Sequence, residues 1–207
     1  TPLIALSKLN NGIYLTADQR YYLRQVVDYL TENPVDVILI AGDLFDRAIP
    51  PIEAIELYDS FIKKVVLELK IPIIAIGGNH DSPARLNFGR QLMQHQGYHI
   101  ISEFDPQQTP IILSDQFGPV HFHPIPYIDP ATIRHTYQDE TIRSFDDAYR
   151  AVMAHLQPQL TPSARHVAIA HAFVIHSSSP KPSTSDSERP LTIGGSEYVR
   201  ADHFTPF

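Results

Sequence analysis

Residues 35–46 read VDVILIAGDLFD, and this stretch decides the fold. Its first seven residues form a nearly continuous apolar run, the pattern of a strand buried on both faces. The run stops at Gly42-Asp43, where a glycine lets the backbone turn sharply. Residues 71–76 (IPIIAI) repeat the pattern and stop at Gly77-Gly78-Asn79-His80-Asp81. Residues 167–170 make a further strand that runs into His171. Helical patterns separate these strands. Thr16 and Gln19 have capping-box spacing ahead of Leu23, Val26, Val27 and Leu30. Pro50-Pro51 opens a second helix, with an apolar stripe of Ile55, Tyr58, Ile62, Val65, Val66 and Leu69. A third helix is expected over residues 84–95. Residues 111–113 and 120–122 read as a hairpin around residues 114–119. Phe145, Ala148, Tyr149, Val152 and Leu156 mark another amphipathic helix. Residues 177–190, rich in Ser and Pro, read as a long loop. Strands alternating with helices predict a layered α/β domain, in which ligands sit outside the carboxyl ends of the strands. Asp43, Asn79, His80 and His171 all fall at such ends.

The chain has 207 residues, a formal charge of −7, 11 His and no Cys. This length fits one domain with a large core. Without Cys, disulfides and thiolate metal sites are excluded, so any metal must use His, carboxylate or amide ligands. The absence of Cys and of a signal-peptide pattern fits a cytoplasmic location. No apolar run approaches the roughly 20 residues of a membrane helix, so no membrane partner is expected. An acidic chain is by itself a poor electrostatic partner for nucleic acid.

The strand-end residues suggest a chemistry. A carboxylate such as Asp43 has two oxygens and can bridge two divalent cations. Asn79 offers a neutral carbonyl oxygen, and His80 can donate a proton or stabilise charge. Asp46, three residues after Asp43, could orient a neighbouring imidazole. His171 alone reads as a satisfied core residue, and only the company of Asp43 and Asn79 makes it a candidate ligand. Hard oxygen and imidazole donors suit Mn²⁺, Mg²⁺, Fe²⁺ or Zn²⁺. Two such ions about 3.5–4 Å apart would clamp the attacking and leaving oxygens of a phosphoryl displacement. They would also place positive charge inside an acidic protein.

The blocks at residues 42–51 (GDLFDRAIPP) and 77–89 (GGNHDSPARLNFG) resemble motifs of the calcineurin-like metallophosphoesterases. Together with residues 171–174 (HAFV) and 185–195 (SDSERPLTIGG), they resemble the SbcD-type branch of DNA double-strand-break repair exonucleases. The likeness runs from about residue 10 to residue 207. It implies a four-layer α-β-β-α sandwich with mixed sheets and Mn²⁺-dependent cleavage of DNA phosphodiesters by a nuclease acting in repair and recombination. Two ions are expected, with Mg²⁺ as the alternative metal. Carried over by position, Asp43 bridges both metals, and Asn79 and His171 each bind one. His80 acts on the scissile phosphate or leaving group, with Asp46 as its partner. The resemblance also implies a coiled-coil ATPase partner of the SbcC type and a homodimer formed through helices of the N-terminal half.

The sequence departs from that pattern. Leu3 stands where the family carries an Asp ligand and Ala5 where it carries a His, and neither side chain can coordinate. A Gly-His-x-His motif that supplies two more ligands is expected beyond Phe207. The single domain over residues 1–207 is therefore expected to be incomplete at both ends. A partial nuclease, inactivating changes at Leu3 and Ala5, and a misassigned opening segment all fit this. The chain as it stands is expected to bind metal weakly and cleave little. Two other functions stay open: a phosphoesterase acting on nucleotides, and a catalytically silent module that docks an ATPase. DNA contacts cannot be read from the sequence. Arg85, Arg90 and Lys181 are candidates, although exposed basic residues are usually just solvated.

Overall fold

Two parallel crossovers organise the N-terminal half of the protein, as the alternating pattern requires. The computed structural model describes residue 6 and residues 9–10, 13–176 and 198–207. The chain divides into two compact units, Pro2–Glu103 and Phe104–Phe207. Each is a mixed α/β assembly.

In the first unit, β1 (Leu9–Asn10) and β2 (Ile13–Tyr14) form an antiparallel ribbon ahead of α1 (Thr16–Glu32). Strand β3 (Ile38–Ala41) leads to α2 (Ile52–Ile62), which continues as a π-helical turn over Lys63–Glu68. Strand β4 (Ile73–Ile76) is followed by α3 (Pro83–Leu86), α4 (Arg90–Gln94) and β5 (Tyr98–Ile101). The three strands form a parallel sheet in the order β3-β4-β5, with Ile38 opposite Ile73 and Ile73 opposite Tyr98. Leu6 adds a parallel bridge to Phe45. Helices α1 and α2 bury Leu23, Leu30, Ala54, Leu57, Tyr58 and Phe61 in a core shared with the central strand β4, all of whose residues are buried.

Several sequence expectations shift here. The first helix has Leu15 at its N-cap and no side-chain cap bond. Thr16 is already helical, so its hydroxyl is not placed to cap. The apolar run of residues 35–41 is strand only over Ile38–Ala41, with Leu39 and Ala41 exposed, and among the described strands it pairs with β4 alone. The stripe on the second helix is centred on Ala54, Leu57, Tyr58 and Phe61, which leaves Ile55 46% exposed. The helix expected over residues 84–95 is two short helices, because Gly89 adopts φ +70° between them. Strand β5 carried no sequence expectation; it pairs beside β4 and buries Tyr98, Ile100 and Ile101.

In the second unit, β6 (Ile111–Asp115) and β7 (Gly118–Ile125) form the expected hairpin. Helices α5 (Pro130–Tyr137) and α6 (Phe145–Leu156) follow. Ser144 and Asp147 close a full capping box at the start of α6. A 3₁₀ turn over Gln157–Gln159 leads to β8 (Arg165–Ala170), which pairs parallel with β7. Strand β9 (Phe173–Ile175) pairs parallel with β10 (Tyr198–Arg200), followed by a 3₁₀ turn over Ala201–Phe204. The expected apolar face of α6 is buried in full against Ile125, Ile128, Ile133 and Val199. Asp146 fixes the end of the chain by accepting from Arg200 N at 2.9 Å, Arg200 Nε at 3.1 Å and His203 Nε2 at 2.8 Å. Among the described residues no helix is long and apolar enough to cross a membrane.

Candidate active site

Two strand ends of the parallel sheet create the site. After β3 the chain reverses through Gly42 at φ +92° and Asp43 at φ +50°. Glycine adopts this conformation freely, whereas an L side chain there is uncommon and strained by roughly 1–3 kcal/mol. After β4 the chain passes through Gly77 and Gly78. A Cβ on Gly78 would lie 2.1 Å from Asp43 Oδ1 and 2.3 Å from Asp43 N. Glycine is therefore required at residue 78 for the two loops to touch as they do.

Hydrogen bonds then lock the loops together. The His80 backbone N–H donates to Asp43 Oδ1 at 3.1 Å. The Asp81 carboxylate accepts from Leu44 N at 3.1 Å, Phe45 N at 3.0 Å and Gly78 N at 2.9 Å. Asp43 and Asp81 are buried, at 5% and 7% exposure. Burial pushes the Asp81 carboxyl above the ordinary carboxylate range, and the three N–H donors oppose that shift. Beneath the loop, Phe45 meets Tyr58 edge-on, and the Tyr58 and Tyr98 hydroxyls lie 3.0 Å apart. Burial raises both phenols, Tyr98 to about 12, so they stay neutral.

The His80 ring has a defined orientation. Its Nδ1 is 3.2 Å from the Asp46 backbone carbonyl and 4.0 Å from Asp46 Oδ1. A carbonyl oxygen only accepts, so Nδ1 carries the hydrogen. The proton that the ring can take up or release then sits at Nε2. Asp46 is thus next to His80, as the sequence suggested, with its main chain making the closer contact.

The structure brings Asp43, Asp46, Asn79 and His80 together on these two loops. His171 belongs to the second unit, directly after β8, where Tyr149 Oη donates to its backbone carbonyl at 3.2 Å. The donor chemistry of the loops fits a hard divalent cation: a buried carboxylate on Asp43 and the amide oxygen of the half-buried Asn79. Among the described residues no group of three His, Asp or Glu side chains could by itself hold a metal ion.

Residues 16–182 match the family described as calcineurin-like phosphoesterase, which covers most of the chain. The chain belongs to this family. Calcineurin-like phosphoesterases are hydrolases that use divalent metals to cleave phosphoesters. Leu3, Ala5, Lys181 and residues 185–195 lie outside the described residues. Sequence reasoning gave Asp81 no role. Its signal was available in retrospect: an acidic residue directly after the Asn-His pair, in the glycine-rich loop that follows a buried strand.

Proposed function

We propose that this calcineurin-like phosphoesterase is the nuclease domain of an SbcD-type exonuclease, hydrolysing DNA phosphodiester bonds with Mn²⁺. The observation that carries the hydrolytic reading is the joining of Asp43 and His80 at adjacent strand ends, with the imidazole oriented through Nδ1. Asp43 and Asn79 would hold the metal, which supplies a nucleophilic hydroxide and charge neutralisation when bound, and His171 is carried as a further ligand by the sequence resemblance alone. His80 would hold or release a proton at Nε2 beside the scissile phosphate, and Asp46 keeps the ring in that orientation. DNA as the substrate rests on the sequence of residues 42–51, 77–89 and 185–195.

The partners follow from the same reading: DNA, an SbcC-type coiled-coil ATPase and a second copy of the chain, in the cytoplasm. An apolar surface supports the homodimer. Ile55 and Phe88 line a groove of about 500 Å³ together with Phe45, Tyr58, Leu86 and Met93. Phe88 is 86% exposed, and Ile52 on α2 and Leu92 on α4 are 71% and 78% exposed. Exposed apolar side chains gathered around a groove are a feature of association surfaces.

The test is degradation of linear duplex DNA by the intact protein with Mn²⁺. Wild type is expected to release nucleotides, and His80→Ala to be slower by about 10²–10⁴-fold. Equal rates would overturn the assignment of His80. Rapid turnover of small phosphomonoesters without DNA cleavage would favour a nucleotide phosphoesterase. Leu3 and Ala5 favour a second reading, a silent module that docks an ATPase. Absence of all phosphoester cleavage alongside ATPase binding would favour that reading.

A further inference from the structure

A single carboxylate makes three of the hydrogen bonds between and within the two strand-end loops, and its location decides what it does. Leu44 and Phe45, which donate to Asp81, are the two residues immediately after Asp43. Gly78, the third donor, immediately precedes Asn79. Asp81 thus fixes the peptide units following one candidate metal ligand and preceding the other. Asp43 sits at φ +50°, a conformation an L residue abandons unless its neighbours are held. With Asp81 holding residues 44 and 45, the Asp43 backbone stays turned so that His80 N–H reaches Oδ1 at 3.1 Å.

We propose that Asp81 is the positioning residue of the metal centre: it keeps Asp43 in its left-handed conformation and keeps Asn79 and His80 against it. It acts through these neighbours, because its own oxygens are occupied by backbone donors. This rests on the reading of Asp43 and Asn79 as metal ligands. An amide cannot substitute. Oδ1 accepts from Phe45, and Oδ2 accepts from both Leu44 and Gly78. Asparagine has one acceptor oxygen and an NH₂ group, so in either orientation a donor would face a donor.

The test compares wild type, Asp81→Asn and Asp81→Glu in the intact protein, with amide exchange and Mn²⁺ titration as readouts. In Asp81→Asn, the amides of residues 44, 45 and 78 are expected to exchange at least about tenfold faster, while those of α6 keep their rates. Mn²⁺ affinity is expected to fall by about 10–100-fold, as for other residues that orient metal ligands. Asp81→Glu, which retains two acceptor oxygens, is expected to recover part of that affinity. It also supplies the comparison if the asparagine variant does not fold. A purely architectural role predicts a lower melting temperature with unchanged Mn²⁺ affinity, and that result would overturn the proposal. So would unchanged exchange at the three amides, or equal damage by Asn and Glu. A wild-type protein that binds no Mn²⁺ would instead overturn the metal reading, whatever the exchange rates show.

Discussion

Glycine 78 is the residue on which the closeness of the two loops turns. The space its side chain would need is filled by the Asp43 main chain and carboxylate. Gly78→Ala must push the loops apart or force Asp43 out of its strained conformation. We expect a loss of roughly 1–3 kcal/mol in stability, the usual cost of overpacking, visible as a lower melting temperature. A wild-type melting temperature would show that the contact carries no such constraint. The neighbouring residues were unevenly legible in the sequence. Asp43, Asn79 and His80 could be found because chain-reversing glycines follow apolar runs and leave polar groups at strand ends. The carbonyl of Asp46 as the closer contact of His80 could not be found, since main-chain orientation is not written in residue type. Nor could the strain at Asp43, which arises from the tertiary clamp.

At the scale of elements, β7 and β8 bring together histidines that sequence reasoning left without a role. His121 and His123 alternate on β7, and His166 of β8 pairs with His121. His166 Nε2 lies 3.0 Å from the Thr161 carbonyl, which only accepts, so its neutral Nδ1 is an acceptor. His123 Nε2 therefore donates to that atom at 2.9 Å. Burial, followed by the neighbouring His166 and His121 rings, pushes the His123 imidazole down to about 4. The folded state thus binds fewer protons than the unfolded chain, in which the group titrates near its ordinary 6.5. Its stabilisation is complete above pH 6.5 and is lost as pH falls from 6.5 toward 4. The effect is on the order of 3 kcal/mol. We expect thermal stability of the second unit to fall across this window and His123→Phe to flatten the slope. An unchanged slope in the variant would contradict the assignment. Among the helices, α6 was fully legible because its apolar residues recur at helical spacing over three turns. The helix over residues 84–95 was not, because the left-handed turn at Gly89 interrupts a pattern too short to reveal the break.

For the molecule as a whole, the parallel sheet of β3, β4 and β5 carries the candidate site, and the alternation of apolar runs and helical stripes made β3 and β4 readable, whereas β5 was not. The exposure of β3 was not readable. Residues 35–41 read as a strand buried on both faces, yet Leu39 is 41% exposed. Composition reports how apolar a strand is, while its neighbours decide how many faces are covered. Phe88 and Leu92 also lie at the surface. If they seat a second copy, Phe88→Glu will convert a dimer to a monomer in sedimentation while leaving the melting temperature nearly unchanged. A wild-type monomer at micromolar concentration would contradict the homodimer. We propose that the loops after β3 and β4 form a metal-dependent centre that hydrolyses phosphoesters. Its most direct test is the Mn²⁺ dependence of phosphodiester cleavage by the intact protein, with wild type beside Asp43→Ala. We expect wild-type cleavage to rise with Mn²⁺, to stop with chelator, and to fall by about 100-fold or more in the variant. An Asp43→Ala protein that cleaves at the wild-type rate, with the same Mn²⁺ dependence, would contradict it.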